Sequence, residues 1–566
     1  MLSRSLTLVC LSTLLPASAL AQSTQSSFWG SSADLRVGTS MDEVGDINGD
    51  GYIDMVVGAP CPSGTGRIYF VSGKYLETGV GGSTLGSTFA GGAGGLFGSS
   101  VLSVGDVSGD GIADVVVTAD ISTFPTTSKA YLVSGASKTV LGTLNETGLS
   151  TYQFGVARCG DVNGDGYTDF AIQKTSFGVG YVELISARGI ALGASNPVLA
   201  SITSPGSADG FGTGLSAGDF DGDGKPEIVV GAPGTSKVYV FRGTTHTLLR
   251  TLSGPGASRF GQSLDATRDV DGDGRKDLVV GAPNSDAGAT DGGEAMLFNG
   301  KRIATNSPPF DDASWPCTQA SAHFGTAVCF TSDMNTDLVT DIVVGAPDYD
   351  SVFLSNGRVF LYSGETSHLL GTLSGAVGGE HLGASVSRAS DFNGDYRTEI
   401  AAGAPLSNHG ATDGGLVRFV DLFPALPSTY CVAKVNSLGC TPVISSSGSA
   451  SLTSSSSFLV KASNVINNKA GLLIYAFAPG AAPLQGSTLC LSAPIKRYGA
   501  QISTGNPPPN DCSGKLSVDF NVLIQSGTVN ALNLAGQQVF AQYWSRDPAA
   551  VAGSSLTNAL AFVVNP

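Results

Sequence analysis

A nine-residue acidic motif occurs seven times along the chain at nearly regular intervals. The first copy reads Asp-Ile-Asn-Gly-Asp-Gly-Tyr-Ile-Asp and spans residues 46–54. The other copies span residues 106–114, 161–169, 219–227, 269–277, 333–341 and 391–399. A period of roughly 50 to 64 residues is typical of architectures in which each repeat is one supersecondary element. The spacing therefore predicts a chain built largely from seven structural repeats.

Each repeat combines the acidic motif with the same strand and turn signals. A Phe-Gly pair precedes the motif, as at residues 211–212 and 260–261, and a β-branched run ending in Gly-Ala-Pro follows it, as at residues 229–233. Short apolar runs such as residues 238–241 come next. Four short strands separated by turn residues predict one antiparallel blade. We therefore predict an all-β fold with a seven-bladed β-propeller over residues 22–424.

The beginning of the chain predicts how the ring of blades closes. The seventh repeat has no recognisable fourth strand, and residues 26–30 stand at the right distance before the first repeat to supply it. Such closure would hide an exposed sheet edge. Before this segment, Arg4, an apolar stretch at residues 6–15 and Ala-Leu-Ala at residues 19–21 are typical of a secretory signal peptide. We expect residues 1–21 to be that signal.

The composition changes after about residue 425. Acidic motifs stop, residues 445–457 are rich in serine, and apolar runs occur at residues 471–477, 518–524 and 559–564. This pattern predicts a second all-β domain over residues 425–566, most simply a β-sandwich. No stretch of the mature chain approaches the roughly 18 consecutive apolar residues of a membrane-spanning helix. We therefore expect an exported protein without a membrane span.

The acidic motif has the composition of a calcium loop. Calcium takes six to eight oxygen ligands, and positions 1, 3, 5 and 9 offer side-chain oxygens while position 7 offers its carbonyl. An EF-hand would need a carboxylate at position 12, where five loops have valine or isoleucine, so that class is excluded. The predicted ligands of these five loops are Asp46, Asn48, Asp50, Tyr52, Asp54, Asp106, Ser108, Asp110, Ile112, Asp114, Asp161, Asn163, Asp165, Tyr167, Asp169, Asp219, Asp221, Asp223, Lys225, Glu227, Asp269, Asp271, Asp273, Arg275 and Asp277.

The seven loops are not equivalent. Ser108 at position 3 should weaken the second loop, and Leu338 and Tyr396 replace the position-6 glycine in the last two. We predict weaker sites there, with the ligands Asp333, Asn335, Asp337, Asp341, Asp391, Asn393, Asp395 and Glu399. The sequence thus predicts about five Ca²⁺ ions, and up to seven. The open alternative for every loop is a solvated Asp-Gly turn that holds no ion.

An even number of cysteines in an exported chain favours disulfides. Eight cysteines follow the predicted signal peptide. Cys317 and Cys329 are close enough in sequence for a local pair. The last four cysteines, Cys431, Cys440, Cys490 and Cys512, are expected to pair among themselves, which would leave Cys61 with Cys159.

Charge and residue chemistry limit the function. A net charge of −16 argues against a nucleic-acid partner, which needs a basic surface. The five histidines form no local catalytic pattern, so we expect a binding protein rather than an enzyme. A related stretch occurs at residues 286–293 and 408–415, and it is either a glycine-rich connection or a ligand contact. Trp315 and Trp544 are the aromatic residues considered for stacking on sugars, although Trp544 equally suits a domain core.

The Phe-Gly pair, the acidic loop and the Gly-Ala-Pro run together resemble FG-GAP repeats. Over residues 27–423 the chain resembles the N-terminal seven-bladed β-propeller of integrin α subunits, in a version typical of secreted bacterial proteins. The resemblance implies a calcium-loaded ring with its metal loops on one face and ligands on the opposite face. We expect a monomeric adhesion or binding scaffold, secreted or at the cell surface, for an extracellular protein or glycan. The alternative is a carbohydrate-active protein, either a lectin or a polysaccharide lyase.

Overall fold

The chain forms two compact units, Ser23–Phe423 and Pro424–Pro566. The computed structural model describes residues 23–78, 84–85, 96–119, 127–147, 150–176, 179–206, 209–308, 311–334, 337, 339–351, 353–389, 391, 398–421, 428–448, 450–452, 456–484, 487–529, 532, 538–550 and 553–564. The predicted signal peptide therefore lies outside the described residues. None of the helices in these ranges has the length and apolarity needed to span a bilayer.

The first unit is a set of antiparallel sheets that follow the repeats. We number the sheets by the acidic loop that each contains, and the described residues form seven of them. Their strands, from first to fourth, are: β2 (Ser40–Gly45), β3 (Asp54–Ala59) and β4 (Arg67–Val71); β5 (Val101–Gly105), β6 (Asp114–Ala119), β7 (Thr127–Val133) and β8 (Val140–Thr147); β9 (Ser150–Gly160), β10 (Asp169–Ser176), β11 (Val179–Ile185) and β12 (Val198–Thr203); β13 (Leu215–Gly218), β14 (Glu227–Ala232), β15 (Lys237–Phe241) and β16 (Leu248–Ser253); β17 (Ser263–Asp265), β18 (Leu278–Ala282), β19 (Glu294–Phe298) and β20 (Asp311–Pro316); β21 (Ala327–Phe330), β22 (Ile342–Ala346), β23 (Arg358–Tyr362) and β24 (Leu369–Ser374); β25 (Ser385–Ala389), β26 (Glu399–Ala404), β27 (Leu416–Asp421) and β1 (Ser23–Trp29).

The sheets are arranged in a ring. The first strands contact one another in the cyclic order β2, β5, β9, β13, β17, β21, β25 and back to β2. Strand β1 pairs antiparallel with β27, with Phe28 opposite Val417, so the N-terminal segment supplies the fourth strand of the seventh sheet. The prediction of an all-β chain with a β-propeller is confirmed, and so is its closure by residues near the N-terminus.

The hydrophobic core of the ring is divided among the contacts between neighbouring sheets. Seven buried clusters occur in the described part of the ring, and each combines side chains from two adjacent sheets. The second strands are buried on both faces, as β3, β6 and β14 show along their whole length. This double burial explains why each acidic motif is followed by a continuous apolar run, which is mostly β-branched in five of the repeats.

The repeated glycines mark where neighbouring sheets approach most closely. The N–H of Gly261, in the Phe-Gly pair, donates to the carbonyl of Gly281 in the same sheet, and Gly261 has a positive φ of 89°. A side chain on Gly231, in the preceding Gly-Ala-Pro run, would overlap the carbonyl oxygen of Gly261. The two glycines of the repeat therefore occur together because the first strand of one sheet packs directly on the second strand of its neighbour.

Short helices occupy some connections between strands. They are α1 (Gly73–Thr78), α2 (Ala187–Ala191), a 3₁₀ turn (Pro233–Thr235) and α3 (Gly300–Thr305) in the first unit, with α4 (Phe520–Gln525) in the second. Helices α2 and α3 connect a third strand to a fourth strand, and α1 follows the third strand of the first sheet. The sequence predicted only turns at these places.

The second unit is a two-sheet structure with one main core. A five-stranded sheet has the order β28-β37-β36-β31-β34 and faces a three-stranded sheet of order β29-β30-β35, with a β32-β33 hairpin beside them. The strands are β28 (Ser428–Tyr430), β29 (Val443–Ser447), β30 (Leu459–Val465), β31 (Ala470–Ala476), β32 (Pro479–Leu484), β33 (Ser487–Leu491), β34 (Lys496–Ile502), β35 (Gly514–Asp519), β36 (Gln538–Arg546) and β37 (Ser554–Val563). Val460 and Leu516 on the smaller sheet, with Phe458 just before it, pack against Leu473, Tyr543 and Phe562 on the larger one. This is the sandwich that the sequence predicted.

The disulfides agree with the prediction in the second unit and contradict it in the first. Cys431 bonds Cys490 and Cys440 bonds Cys512. Cys61, Cys159, Cys317 and Cys329 are buried free thiols in the described structure. The predicted pair Cys317–Cys329 is wrong because Cys317 lies between the fifth and sixth sheets and Cys329 between the sixth and seventh. The predicted pair Cys61–Cys159 is wrong for the same reason, since these thiols belong to two other separate clusters.

Candidate metal loops and the opposite face

Each acidic loop connects the first and second strands of its sheet through one self-bonded turn. In the first loop the backbone N–H groups of Gly49 and Asp50 donate to Oδ1 of Asp46 at 2.7 and 3.1 Å, and that of Gly51 donates to Oδ2 at 2.8 Å. The N–H of Tyr52 donates to Oδ1 of Asp50. The position-1 carboxylate is therefore held at the centre of the turn by its own loop.

The same turn recurs in the other complete loops. The position-1 carboxylates accept from the N–H groups at positions 4 and 6, and the position-5 carboxylates accept from position 7, in the loops that begin at Asp106, Asp161, Asp219 and Asp269. The position-7 residues Ile112, Tyr167, Lys225 and Arg275 thus enter the turn through their backbone. The regular repetition shows that the sequence motif encodes one local geometry.

The position-9 carboxylates differ from the rest because they are buried. They are Asp54, Asp114, Asp169, Glu227, Asp277, Asp341 and Glu399. One oxygen of Asp54 accepts from the N–H of Ile47 inside the loop, and the other accepts from Gly73 at the start of α1. Asp277 makes the equivalent bonds to Val270 and to Gly300 of α3. Position 9 therefore ties the loop to the connection between the third and fourth strands of the same sheet.

Burial and repulsion make these carboxylates unfavourable as isolated anions. Burial raises the pKa of Asp54, Asp169 and Asp277 to about 6 and the pKa of Glu227 and Asp341 to about 7. Backbone N–H donors act in the opposite direction, and the carboxylates at other positions of each loop add a further upward repulsion. A bound divalent cation would replace this repulsion by attraction.

Two further observations fit a cation. Asp219, Asp221 and Asp223 bring oxygens within 4.8 Å of one another, and the equivalent triplet of the fifth loop does the same. In the third loop, Oδ1 of Asp169 is buried, and no described residue donates a hydrogen bond to it. A buried carboxylate oxygen without a donor is costly unless it is paired or coordinates a metal. The loops therefore fit the oxygen-rich donor set that calcium prefers.

The last two loops are only partly described. In the sixth loop Asp337 donates through its N–H to Asp333, and Asp341 accepts from Met334, so the described part keeps the turn. In the seventh loop Asp391 and the buried Glu399 are described. The predicted ligands Asn335, Asn393 and Asp395 lie outside the described residues.

Cationic side chains border the fourth and fifth loops. Lys301 of α3 lies 3.3 Å from Oδ2 of Asp273, and Arg242 lies 3.9 Å from Asp221. Asn299 donates to Asp271 at 2.6 Å. The motif did not predict these neighbours, because they come from the connection between the third and fourth strands, far from the loop in sequence.

The related stretches 286–293 and 408–415 lie at the opposite end of the sheets, in the connections between second and third strands. Each begins with a side chain that accepts an N–H five residues later, from Asp291 to Asp286 and from Asp413 to Asn408, both at 2.8 Å. The carbonyls of Thr290, Asp291 and Gly292 accept from Ser321, His323 and Phe324, and those of Thr412, Asp413 and Gly414 accept from Asp34, Arg36 and Val37. These stretches bind each sheet to the chain that enters the next one.

A polar cluster on this opposite face was not predicted from the sequence. Nδ1 of His323 and Nδ1 of His381 lie 2.7 and 2.8 Å from the two carboxylate oxygens of Asp348. Both histidines directly precede a first strand, and hydrogen bonds from these histidines lower the pKa of Asp348. The sequence does place both histidines at the same position of neighbouring repeats, directly before Phe324 and Leu382, and this repetition could have indicated the cluster.

The expectation that Trp315 is available to stack on sugars is wrong. Trp315 is buried on β20, where it packs against Tyr362 of the sixth sheet and its Nε1 donates to the carbonyl of Ser367. The segment that carries Trp315, Asp311–Pro316, is thus the fourth strand of the fifth sheet. Trp544 is half-buried on β36, where it lines an apolar groove of about 310 Å³ with Leu472 and Ile502.

Family comparisons agree with this architecture. The FG-GAP repeat model matches residues 211–241 and 260–296, and the FG-GAP-like repeat model matches residues 46–117. The chain is thus an FG-GAP repeat protein with an integrin-α-like β-propeller.

The curated relatives are integrin α subunits. Integrin alpha-PS5 of Drosophila melanogaster is 34% identical over 158 residues, which cover 26% of this chain and 16% of that protein. Integrin alpha-IIb of Mus musculus is 35% identical over 162 residues, again 26% of this chain and 16% of the relative. Integrin alpha-4 of Xenopus laevis is 29% identical over 202 residues, or 32% and 18%. The matched segments span less than a fifth of these relatives.

Proposed function

We propose that this protein is an exported, calcium-loaded propeller that serves as an adhesion or binding scaffold for an extracellular ligand. The observation that carries the calcium part is the repeated loop itself, with buried position-9 carboxylates and an Asp169 oxygen that no described residue satisfies. When bound, calcium would supply positive charge to the carboxylates. The residues would supply the oxygen cage and tie it to two connections of each sheet.

The ligand part of the proposal rests on the integrin-like sequence and on the face opposite the loops. Phe353 and Leu354, in the connection between the second and third strands of the sixth sheet, are 49% and 77% exposed. Val377, in the connection to the seventh sheet, is also exposed, and the neighbouring Gly378 lies close to Phe353. Neighbouring exposed apolar side chains on one face are typical of protein-binding surfaces.

Export and domain division complete the proposal. Two disulfides in residues 431–512 suit an oxidising compartment. We propose that residues 1–21 act as a signal peptide, residues 22–424 as the propeller and residues 425–566 as a separate domain that presents or attaches it. A monomer in solution is part of the same proposal.

The decisive experiment is binding of residues 22–566 to an array of extracellular proteins and glycans, in calcium and in chelator. We expect calcium-dependent binding to a protein, and loss of that binding in the Phe353→Ala/Leu354→Ala double variant. Leu192→Ala is the matched control, since Leu192 is also exposed, at 69%, but follows α2 on the face of the acidic loops. Binding that survives both the chelator and the double variant would contradict the proposal.

A glycan ligand is the second candidate, favoured by the groove beside Trp544. An indole beside small residues such as Gly471 and Ala500 offers a flat apolar surface for a sugar ring. Calcium-independent binding to glycans that is lost in Trp544→Ala would move the function to the second unit and to a lectin.

A further inference from the structure

The first strands of the ring carry a layer of charged side chains near the axis. These side chains come from the first, third, fifth and seventh sheets and are Asp42, Glu43, Arg158, Asp265, Arg268 and Arg388. Arg268 follows the end of β17, and the others lie on β2, β9, β17 and β25. Above this layer, all seven sheets line a central cavity of about 260 Å³. The charged layer therefore lies one step further along the same strands.

Two of the six groups, Arg158 and Asp42, bond each other and the second sheet. Arg158 of the third sheet donates from Nε to the carbonyl of Ser103 and from Nη2 to Asp42 of the first sheet. The N–H of Ser103 also donates to the same oxygen of Asp42, at 2.8 Å. Both of these charged groups thus have partners in other sheets.

The other four groups include a guanidinium with one buried donor that lacks an acceptor. Nε of Arg268 is buried, and no described residue accepts a hydrogen bond from it. Its electrostatic neighbours are the like-charged Arg388 and the acids Asp265 and Glu43. The two acids are already engaged, because Glu43 accepts from Arg388 at 3.0 Å and Asp265 accepts from the N–H groups of Thr267 and Phe330.

A buried donor without an acceptor is unfavourable, and a second guanidinium nearby makes it more so. The group that Nε lacks is therefore an acceptor, and a negative charge beside the two guanidinium groups would further offset their repulsion, which Asp265 and Glu43 already reduce. An acceptor at this place must also be small, because first strands of neighbouring sheets surround it. These requirements describe a small anion rather than a cation.

We propose that the central channel binds a small monovalent anion, with chloride as the fitting species, beside Arg268 and Arg388. The cavity above the layer gives such an ion a path from the face opposite the acidic loops. The ion would bridge the fifth and seventh sheets, which the acidic loops do not connect. The protein's net charge of −16 is compatible with an anion at this place. Salt screens the repulsion from the distant, exposed acidic loops far more than it screens the attraction to a buried donor in direct contact.

The test is the melting temperature of the full mature chain in sodium chloride or bromide against sodium gluconate at equal ionic strength. Calcium is held constant as its gluconate. We expect the halides to raise the Tm of the natural protein by a few degrees. Arg268→Met should melt higher than the natural protein in gluconate, because it removes an unsatisfied buried charge, and should not respond to halide.

The control is Arg259→Met, whose exposed guanidinium lies on the opposite face and bonds Gln262. It should keep the full halide response. Equal Tm values in halide and gluconate for the natural protein would overturn the proposal and show that water satisfies Arg268. An undiminished halide response in Arg268→Met would overturn it as well.

A crystallographic measurement covers the case in which Arg268→Met fails to fold. Crystals of the natural protein soaked in sodium bromide should show an anomalous bromine peak within hydrogen-bonding distance of Nε of Arg268. No peak at that position would contradict the proposal. An acetate arm in the melting series separates a halide site from a carboxylate site, since a carboxylate pocket would respond to acetate more strongly than to chloride.

Discussion

The two units of this chain solve the stability problem of short β-strands in different ways. Residues 424–566 contain seven Lys and Arg against three Asp and Glu, whereas the preceding residues contain 23 and 43. All four cysteines of the second unit form disulfides, and the four described cysteines of the propeller are buried free thiols. One unit is rich in acids and lacks described crosslinks, and the other is crosslinked and slightly basic.

The difference follows from how each unit distributes its core. In the propeller the apolar side chains are divided among thin clusters between neighbouring sheets, so every sheet depends on the next. The acidic loops tie the first and second strands together at one end of each sheet, and their position-2 residues, such as Ile47 and Val107, join the cluster between that sheet and the next. The sandwich has one main core between two sheets and fastens the chain around it covalently. The high acid content of the propeller and the paired cysteines of the sandwich thus correspond to two different ways of holding short strands together.

Calcium removal should have the largest effect and should act on the propeller alone. An ion present at 100 times its Kd contributes about 2.7 kcal/mol per site to the free energy of unfolding. Five or more loops together should therefore lower the Tm of the propeller strongly when EGTA is added. Differential scanning calorimetry of the mature chain should show one transition that shifts and one that does not. If both transitions shift, or neither, the contrast between the two units is wrong.

Reduction should produce the converse result. The two disulfides close segments of 59 and 72 residues, and removing a bond of this kind costs about 2–5 kcal/mol. Dithiothreitol, or the Cys431→Ser/Cys490→Ser variant, should lower only the calcium-insensitive transition. Cys317→Ser serves as the control for a buried free thiol. A reduction-sensitive propeller would contradict the assignment of its thiols as free.

Ring closure should come next in size. Phe28 on β1 is buried between the seventh and first sheets and packs edge-to-face on Tyr69. Phe28→Ala should lower the free energy of unfolding of the propeller by about 3–5 kcal/mol, the usual cost of removing a buried phenyl ring. Chemical denaturation in calcium gives the value. Trp29→Ala, at an exposed side chain of the same strand, is the control and should change the value far less.

The sequence could predict most of the fold because the repeat signals are local and recur. Residues 46–54 and their six relatives carry their turn in their own aspartates and glycines, so the same hydrogen bonds reappear in each described loop. The order of strands followed from the spacing, and closure by residues near 28 followed from a missing fourth strand. The metal ligands themselves, and the domain boundaries, stay predictions.

What the sequence could not predict depends on contacts between repeats. The ring of Trp315 packs against Tyr362 of the next sheet. The residues around Trp315 in the sequence give no sign of this contact. Cys317 and Cys329 are twelve residues apart, but they lie in the cores on opposite sides of the sixth sheet. Arg268 directly precedes Asp269, so the sequence assigns it to the fifth acidic loop. Its electrostatic neighbours nevertheless lie on the first strands of three sheets.

The smallest expected effect concerns a single surface lysine. Lys301 is more than half exposed, and its ammonium lies 3.3 Å from Asp273, a predicted ligand of the fifth loop. Exposed ion pairs contribute about 0.2–1 kcal/mol. Because the lysine competes with the ion for that carboxylate, Lys301→Ala should raise the calcium affinity of the fifth loop by roughly 1.4- to 5-fold.

The fifth loop can be isolated by subtraction. Asp277→Asn should remove its site, so the difference between isothermal titrations with and without that substitution gives the loop's own affinity, for the natural Lys301 and for Lys301→Ala. Lys461→Ala in the second unit is the control and should leave all calcium binding unchanged. A fall in affinity in Lys301→Ala would mean that the lysine holds Asp273 in its binding position. In that case α3 supports the fifth loop rather than opposing the ion, and the acidic loops depend on their sheets more than their sequence implies.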